Sequence, residues 1–465
     1  MSIEELLNTA VDVAINKGAK EAIAKVLNQV TYQIRFSNSQ IDISKQWNKN
    51  ILELFLAKRR RINVVNITDP TISKIEEIIP KAAENLGKIS KSLLYWGMAK
   101  NKYNYNSIEG LYYPDITEFY EKVPELVNES VNQALDVGAK KVAGVLYFGH
   151  SKTGVLTSYG NGGIYDTSDY QYTIRSFIDA ESSGQQNIVG RDLNGINNKF
   201  NLAGKESAKL AKNAVSGKQG KAGTYDIIMS PTVAANIFGH IINGANPVYI
   251  IGKMSCLKGK MNKKIAPNNL SVTDNPLIEE GLNSRPFDFE GVPSQVTPII
   301  KDGVLRNLIH NTSSAKIWKL LGKWRTKSTA NSWLGSVVME DLGPKVLAPL
   351  PTNNVYSAGD YDLDEIIAES QKPTIYVTSN WYTRFTNNLE GIFSTIPRDA
   401  MFLIENGEIR HPIRKIRIAD NLLRMLKNIQ CLGNDLQQVQ WWEVETPTFI
   451  PTIKVKDVSI TAATK

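Results

Sequence analysis

The chain opens on a regular helical rhythm. Apolar side chains recur at Ile3, Leu6, Leu7, Ala10, Val11 and Ala14, all on one face at 3.6 residues per turn. Ser2 and Glu5 form a capping box ahead of that stripe, and Gly18 stops it. The pattern then shifts to runs rich in Val, Ile and Phe around 25–43 and 50–66, which predict strands. Asp69-Pro70 opens a second helix with Ile72, Ile75 and Ile79 on one side. A third helix is predicted near 116–137, burying Val123, Val127, Val131 and Leu135 and capped by Gly138. Strands near 141–149 and 168–179 flank the turn-rich stretch "SYGNGGIYD".

Residues 181–202, "ESSGQQNIVGRDLNGINNKFNL", lose this periodicity and are rich in Ser, Gly, Gln and Asn. Such a composition predicts a connection between domains. The reading is therefore an α+β protein of two domains. The first, 1–190, is α/β-sandwich-like. The second, 203–465, opens with a Lys/Ala-rich helix at 203–216, a strand at 224–229 and a helix at 231–244. Beyond residue 265 strands and turns dominate, predicting a mostly antiparallel β domain. No phosphate-loop or dinucleotide fingerprint and no internal repeat is present.

Composition narrows the class. With 465 residues, 42% apolar and 22% charged, the chain is an ordinary globular one. No apolar run approaches the roughly 18–20 residues of a membrane span, so no membrane association is expected. The N-terminus is acidic and amphipathic rather than basic then apolar, and reads as no signal peptide. Cys256 and Cys431 lie far apart and form no CxxC pair, which fits a reducing compartment, and a cytoplasmic protein is expected. The net charge is +8, but 54 basic and 46 acidic residues are interleaved. The densest basic cluster, "AKRRRINVV" at 57–65, reads as the solvated edge of a hairpin, so nucleic-acid binding is not expected.

The stretch "MSPTVAANIFGHIINGANP", 229–247, carries the most chemistry. Ser230 and Pro231 start a helix as N-cap and first helical residue. Val233, Ala234, Ile237, Phe238, Ile241 and Ile242 fill one half of it, and His240 falls on the opposite, polar arc with Asn236 and Asn243. Zinc needs three or four ligands, and hydrolysis needs a general base. From 227 to 247 there is no second His, no Glu and no Cys, and the nearest acid is Asp226. His150, His310 and His411 are scattered; His310 reads as structural and His411-Pro412 as a turn. No GxSxG elbow is present. From these residues alone no reaction follows.

Three later segments, taken in order after this helix, carry a resemblance. They are "FDFEGVPSQVTPIIKDGVLRNLIHN" (287–311), "LPTNNVYSAGDYDLDEII" (350–367) and "FLIENGEIRHPIRKIRIADNLLRMLKNIQCLGND" (402–435). The chain resembles the TldD/PmbA family, candidate modulators of DNA gyrase that behave as a two-subunit peptidase. In the family's catalytic branch the helix bears His-Glu-x-x-x-His, and a Cys beyond a Gly-Asn-Asp signature completes a zinc site. By that resemblance the first His falls on Ala235, the Glu on Asn236 and the second His on His240. Cys431 precedes Gly433-Asn434-Asp435, and "LQQVQWWEVETPT" after it holds no Cys. The sequence is thus similar to the TldE/PmbA branch, which implies no catalytic residues, no metal and no cofactor in this chain. Asn236 and His240 are expected to hydrogen-bond across one turn.

What the resemblance implies is a non-catalytic subunit, inactive alone. It pairs with a TldD-like metalloprotease whose own site carries the zinc, and acts on unfolded peptides or peptide leaders. Three alternatives stay open. The chain is a peptidase in its own right through an unrecognised site, a basic DNA- or gyrase-associated binder, or a homodimeric scaffold.

Overall fold

Period-two alternation in one long strand explains the N-terminal half. In β1 (Glu21–Ser37), Ala22, Ala24, Val26, Ile34 and Phe36 point to one face, while Ile23 points to the other. A computed structural model describes residues 2–323, 325–336 and 345–462. Its first sheet is wholly antiparallel and adds β2 (Gln40–Lys58), β3 (Arg61–Thr68), β4 (Lys141–Thr157), β5 (Gly162–Phe177) and β6 (Ser183–Gly190), in the order β3-β2-β1-β4-β5-β6. Helices α1 (Ile3–Asn16), α2 (Ile72–Asn85), α3 (Phe119–Val137) and α4 (Ile196–Asn213) all cover the first face. The other face, around Ile23, Phe55 and Val155, meets Phe287, Phe289 and Leu347 from the second half.

Two expectations change here. The run 181–202 is no connection: it contains β6 and the start of α4. Its buried polar residues find partners: Ser183 Oγ donates to Asp399 Oδ1 at 2.7 Å and Ser182 Oγ to Asp179 Oδ2 at 3.1 Å. Helix α4 starts at Ile196 rather than 203, and its Ile196, Phe200, Ala203 and Ala208 lie in the N-terminal core. Gly204 permits that packing, because a Cβ there would stand 2.1 Å from the Ser130 carbonyl on α3. The basic hairpin does form, turning at Arg59 and Arg60 with φ of 51° and 66°. Its arginines are not a free solvated edge, however. Arg60 and Arg61 donate to the carbonyls of Tyr95, Ser92 and Ile89, and Arg60 stacks on Trp96 at 3.8 Å.

The C-terminal half is mostly antiparallel and, among the described residues, is built on two large sheets with a separate antiparallel pair, Ser332–Ser336 and Lys345–Pro349. One runs Thr374–Asn387, Gly223–Met229, Ile453–Ala462, Ile416–Asn421, Ile392–Glu405, Glu408–Arg414 and Lys218–Gln219, with Ile429–Leu432 beside Ile453–Ala462. The other includes Asn354–Tyr356, Val444–Ile450 and Gln437–Trp441. Helix α5 (Pro231–Phe238) packs between them, touching strands of both. Among the described residues no helix is long and apolar enough to cross a membrane.

Candidate functional site

Helix α5 begins as the sequence predicts. Ser230 Oγ accepts from Val233 N–H at 3.4 Å and donates to the Thr378 carbonyl at 2.8 Å, so the cap also ties the helix to the adjoining strand. The predicted continuous helix 231–244 breaks at Gly239, and α6 (His240–Gly244) follows. The carbonyls at the break find side-chain donors: Tyr356 Oη donates to Phe238 O at 2.6 Å, and Asn354 Nδ2 to Gly239 O at 3.2 Å. The "PTNNVY" segment therefore acts by holding this break open.

Position in the fold overturns the amphipathic reading of α5. A helix between two sheets buries its whole circumference, and Ala235 and Asn236 are each 1% exposed. Asn236 does not bond to His240. It donates Nδ2 to the Asn380 carbonyl at 3.0 Å instead, and its Oδ1 has no partner. His240 is half-buried and meets the Phe385 ring edge-on, centroids 5.0 Å apart. Burial, reinforced by the Arg384 guanidinium, pushes its imidazole down to about 4, so it is neutral at pH 7.

The break brings Ala235, Asn236 and His240 to the wall of a single cleft of about 270 Å³. The facing wall carries Thr383, Arg384, Trp442, Glu443 and Glu445. A bulge between Trp381 and Arg384 shapes it, with Tyr382 held at a φ of 58°. The Glu443 side chain is only 3% exposed. One of its oxygens, Oε2, accepts from Thr383 N–H at 3.2 Å and from Arg384 at 3.4 Å, while Oε1 has no partner. Glu443 is not among the residues the sequence singles out, because the resemblance asks of the segment "WWEVET" only a thiol. Its paired tryptophans beside an acid were the available signal.

This donor set does not fit a zinc ion. His240 is one imidazole, and among the described residues no three His, Cys, Asp or Glu side chains come together. Cys431 lies on the far side of the sheet from α5. It packs with Ile228 and Ile404, whereas the alternate residues Ile227 and Met229 face the helix core. His310 is buried, 3.2 Å from Ser314 Oγ, and burial lowers it to about 4. His411 sits in the strand Glu408–Arg414 rather than a turn, because Pro412 occupies a paired strand position there.

The Asp-Phe-Glu-Gly-Val-Pro segment is a clasp away from the cleft. Asp288 accepts from the N–H groups of Glu290, Val292 and Ser332, and Glu290 from those of Ala99 and Thr312. Burial, with the neighbouring Glu290 charge, pushes Asp288 up to about 7.

The architecture is shared with known proteins. The family model described as the PmbA/TldA metallopeptidase C-terminal domain matches residues 222–462. Metalloprotease PmbA of Escherichia coli O157:H7 is 26% identical over 300 residues, 63% of this chain and 58% of that one. The chain spans about half the length of the curated relatives it matches. A candidate modulator of a DNA gyrase from Thermotoga maritima superposes with a TM-score of 0.83 at 21% identity, covering 99% of this chain and 100% of that one. TldE from Thermococcus kodakarensis gives 0.82 at 18% identity, covering 98% and 100%. These two likenesses establish the fold. With more than half of its residues matched by the family model, the chain belongs to the PmbA/TldD metallopeptidase family.

Proposed function

We propose that this chain is the metal-free subunit of a two-subunit peptidase, pairing with a TldD-like metalloprotease and helping to hold unfolded peptides or peptide leaders. The observation that carries the reading is the content of the cleft. Where the family's catalytic branch has two histidines and a glutamate, Ala235, Asn236 and His240 line it, the segment 436–448 expected to carry the thiol has none, and Cys431 just before it lies behind a sheet. One imidazole neither holds zinc nor leaves a carboxylate on the helix to activate water. The cleft remains concave and polar, which suits a role in holding peptide.

The test is size-exclusion of this chain with and without a TldD-like subunit, joined to zinc analysis and cleavage of an unstructured peptide. The reading expects a mixed complex, zinc only with the partner, and cleavage only in the mixture. Chelator-sensitive cleavage by the isolated chain overturns it. A second reading draws on His240 and Glu443 sharing one cleft, a base and an acid for hydrolysis by this chain alone. Cleavage by the isolated chain that survives a chelator and is lost in Glu443→Gln selects it.

A further inference from the structure

The cleft at the helix break holds two buried acceptors with nothing to accept. Glu443 Oε1 and Asn236 Oδ1 both lack a hydrogen-bond partner, on side chains 3% and 1% exposed that line the same cavity. An acceptor left unmatched in a buried site is costly, and the remaining atoms of both side chains are already committed, to Thr383, Arg384 and Asn380. The missing component is a donor.

Charge says what kind of donor. Of the two unmatched acceptors one belongs to a carboxylate, Glu443, and His240 adds no charge at neutral pH to oppose a cation beside it. Trp442 is 54% exposed, lines the cleft and stands 5.6 Å from both Trp381 and Trp441, offering an aromatic face to a cation. Tyr382, a bulky residue at positive φ, marks stored strain in the bulge that presents Thr383 and Arg384. A compact cation with several donors satisfies both acceptors at once, which a planar guanidinium with its fixed fork does less well.

We propose that this cleft binds a primary ammonium group, either the α-amine or a lysine side chain of a peptide, between Glu443 and Asn236 beside Trp442. The proposal rests on the reading of the chain as a peptide-holding subunit and names the group that is held.

The experiment is a titration of the full chain, followed by tryptophan fluorescence, in the presence of a chelator. The probes are n-butylammonium chloride, tetra-alanine amide, its N-acetylated form, and N-acetyl-lysine methylamide. The free-amine probes are expected to bind about ten-fold or more tightly than the acetylated peptide, and Glu443→Gln to remove that advantage. Binding through an α-amine is lost as pH rises through about 8, whereas binding through lysine persists to about 10, which separates the two sources. Equal binding of free and acetylated peptides overturns the amine site and leaves peptide holding intact. Binding of n-butylammonium with neither peptide bound upholds the amine site and removes peptide holding. No binding by any probe overturns both. If Glu443→Gln does not fold, the free-against-acetylated ratio and its pH profile in the parent chain decide.

Discussion

Asn236 on α5 reaches across to the backbone of Asn380 and donates to its carbonyl at 3.0 Å. This contact ties position 236 into the strand that forms the opposite wall of the cleft. An amide at 236 supplies a donor to that carbonyl, and an ionised carboxylate supplies none. The local chemistry of this chain is therefore built around a neutral donor at 236.

Phe238 and His240 flank the helix break, with opposite consequences for stability. Phe238 is fully buried in the main C-terminal core. Phe238→Ala is expected to cost about 3–5 kcal/mol through lost burial and a residual cavity. His240→Ala removes an edge-on contact with Phe385 and is expected to cost about 1–2 kcal/mol. Denaturant midpoints of the two variants compare them directly. A larger loss at His240 means that the imidazole is part of a network the geometry does not account for.

Gly239 is tightly specified. A Cβ there would lie 2.5 Å from the Ala235 carbonyl, in a segment fastened by Tyr356 and Asn354. Gly239→Ala, although favourable by helix propensity alone, is expected to destabilise by about 1–3 kcal/mol as the break is forced to shift. Thermal melts of this variant settle the sign. Stabilisation shows that the two helices relax into one.

Acid should destabilise the fold through two histidines. His240 and His310 are both pushed down to about 4 by burial, from an ordinary 6.5. Between those values the unfolded chain takes up protons that the folded chain refuses, so stability falls as pH falls through the window. The slope is at most about 1.4 kcal/mol per pH unit for each residue. Asp288 is raised to about 7 and acts in the opposite direction, its contribution being lost as pH rises through that value. The measurement is therefore a difference: parent minus His310→Gln, followed by denaturant midpoints from pH 7 to 4. A flat difference removes His310 as a source of acid sensitivity.

Local pattern made much of this fold legible. The capped α1, the helix ending at Gly138, the Ser230-Pro231 start and the Arg59-Arg60 hairpin all follow from side-chain period and turn chemistry. The errors occur where tertiary burial overrides composition. A Ser/Gln-rich segment pairs as β6, and its buried Ser183 finds polar partners in Asp399 and Arg175. Asn236 reads as solvated on a single-faced helix, whereas two sheets enclose it. The cleft was half visible. Ala235, Asn236 and His240 come from one short motif, but Arg384 arrives from a strand about 150 residues away and Glu443 from a turn about 200 residues away, and no local period announces such a meeting.

Rewriting the motif tests the whole account. Ala235→His with Asn236→Glu gives His-Glu-Ile-Phe-Gly-His across the break. On an unbroken helix residues five apart diverge by about 140°. Here Gly239 separates α5 from α6 and positions 235 and 240 already share one cleft, so two imidazoles are able to approach the same ion. The third ligand is the obstacle. Cys431 lies behind the sheet, and Glu443 is engaged by Thr383 and Arg384. Glutamate at 236 also sets an acceptor near the Asn380 carbonyl and takes away its donor, an arrangement expected to cost about 1–3 kcal/mol. The double variant is therefore expected to melt lower than the parent, to bind zinc weakly, and to show no useful peptide cleavage alone. Zinc titration, melting and a cleavage assay read these three outcomes. Tight zinc with chelator-sensitive turnover means that Glu443 swings free of Arg384 to complete the site, and that the parent cleft is two substitutions from catalysis.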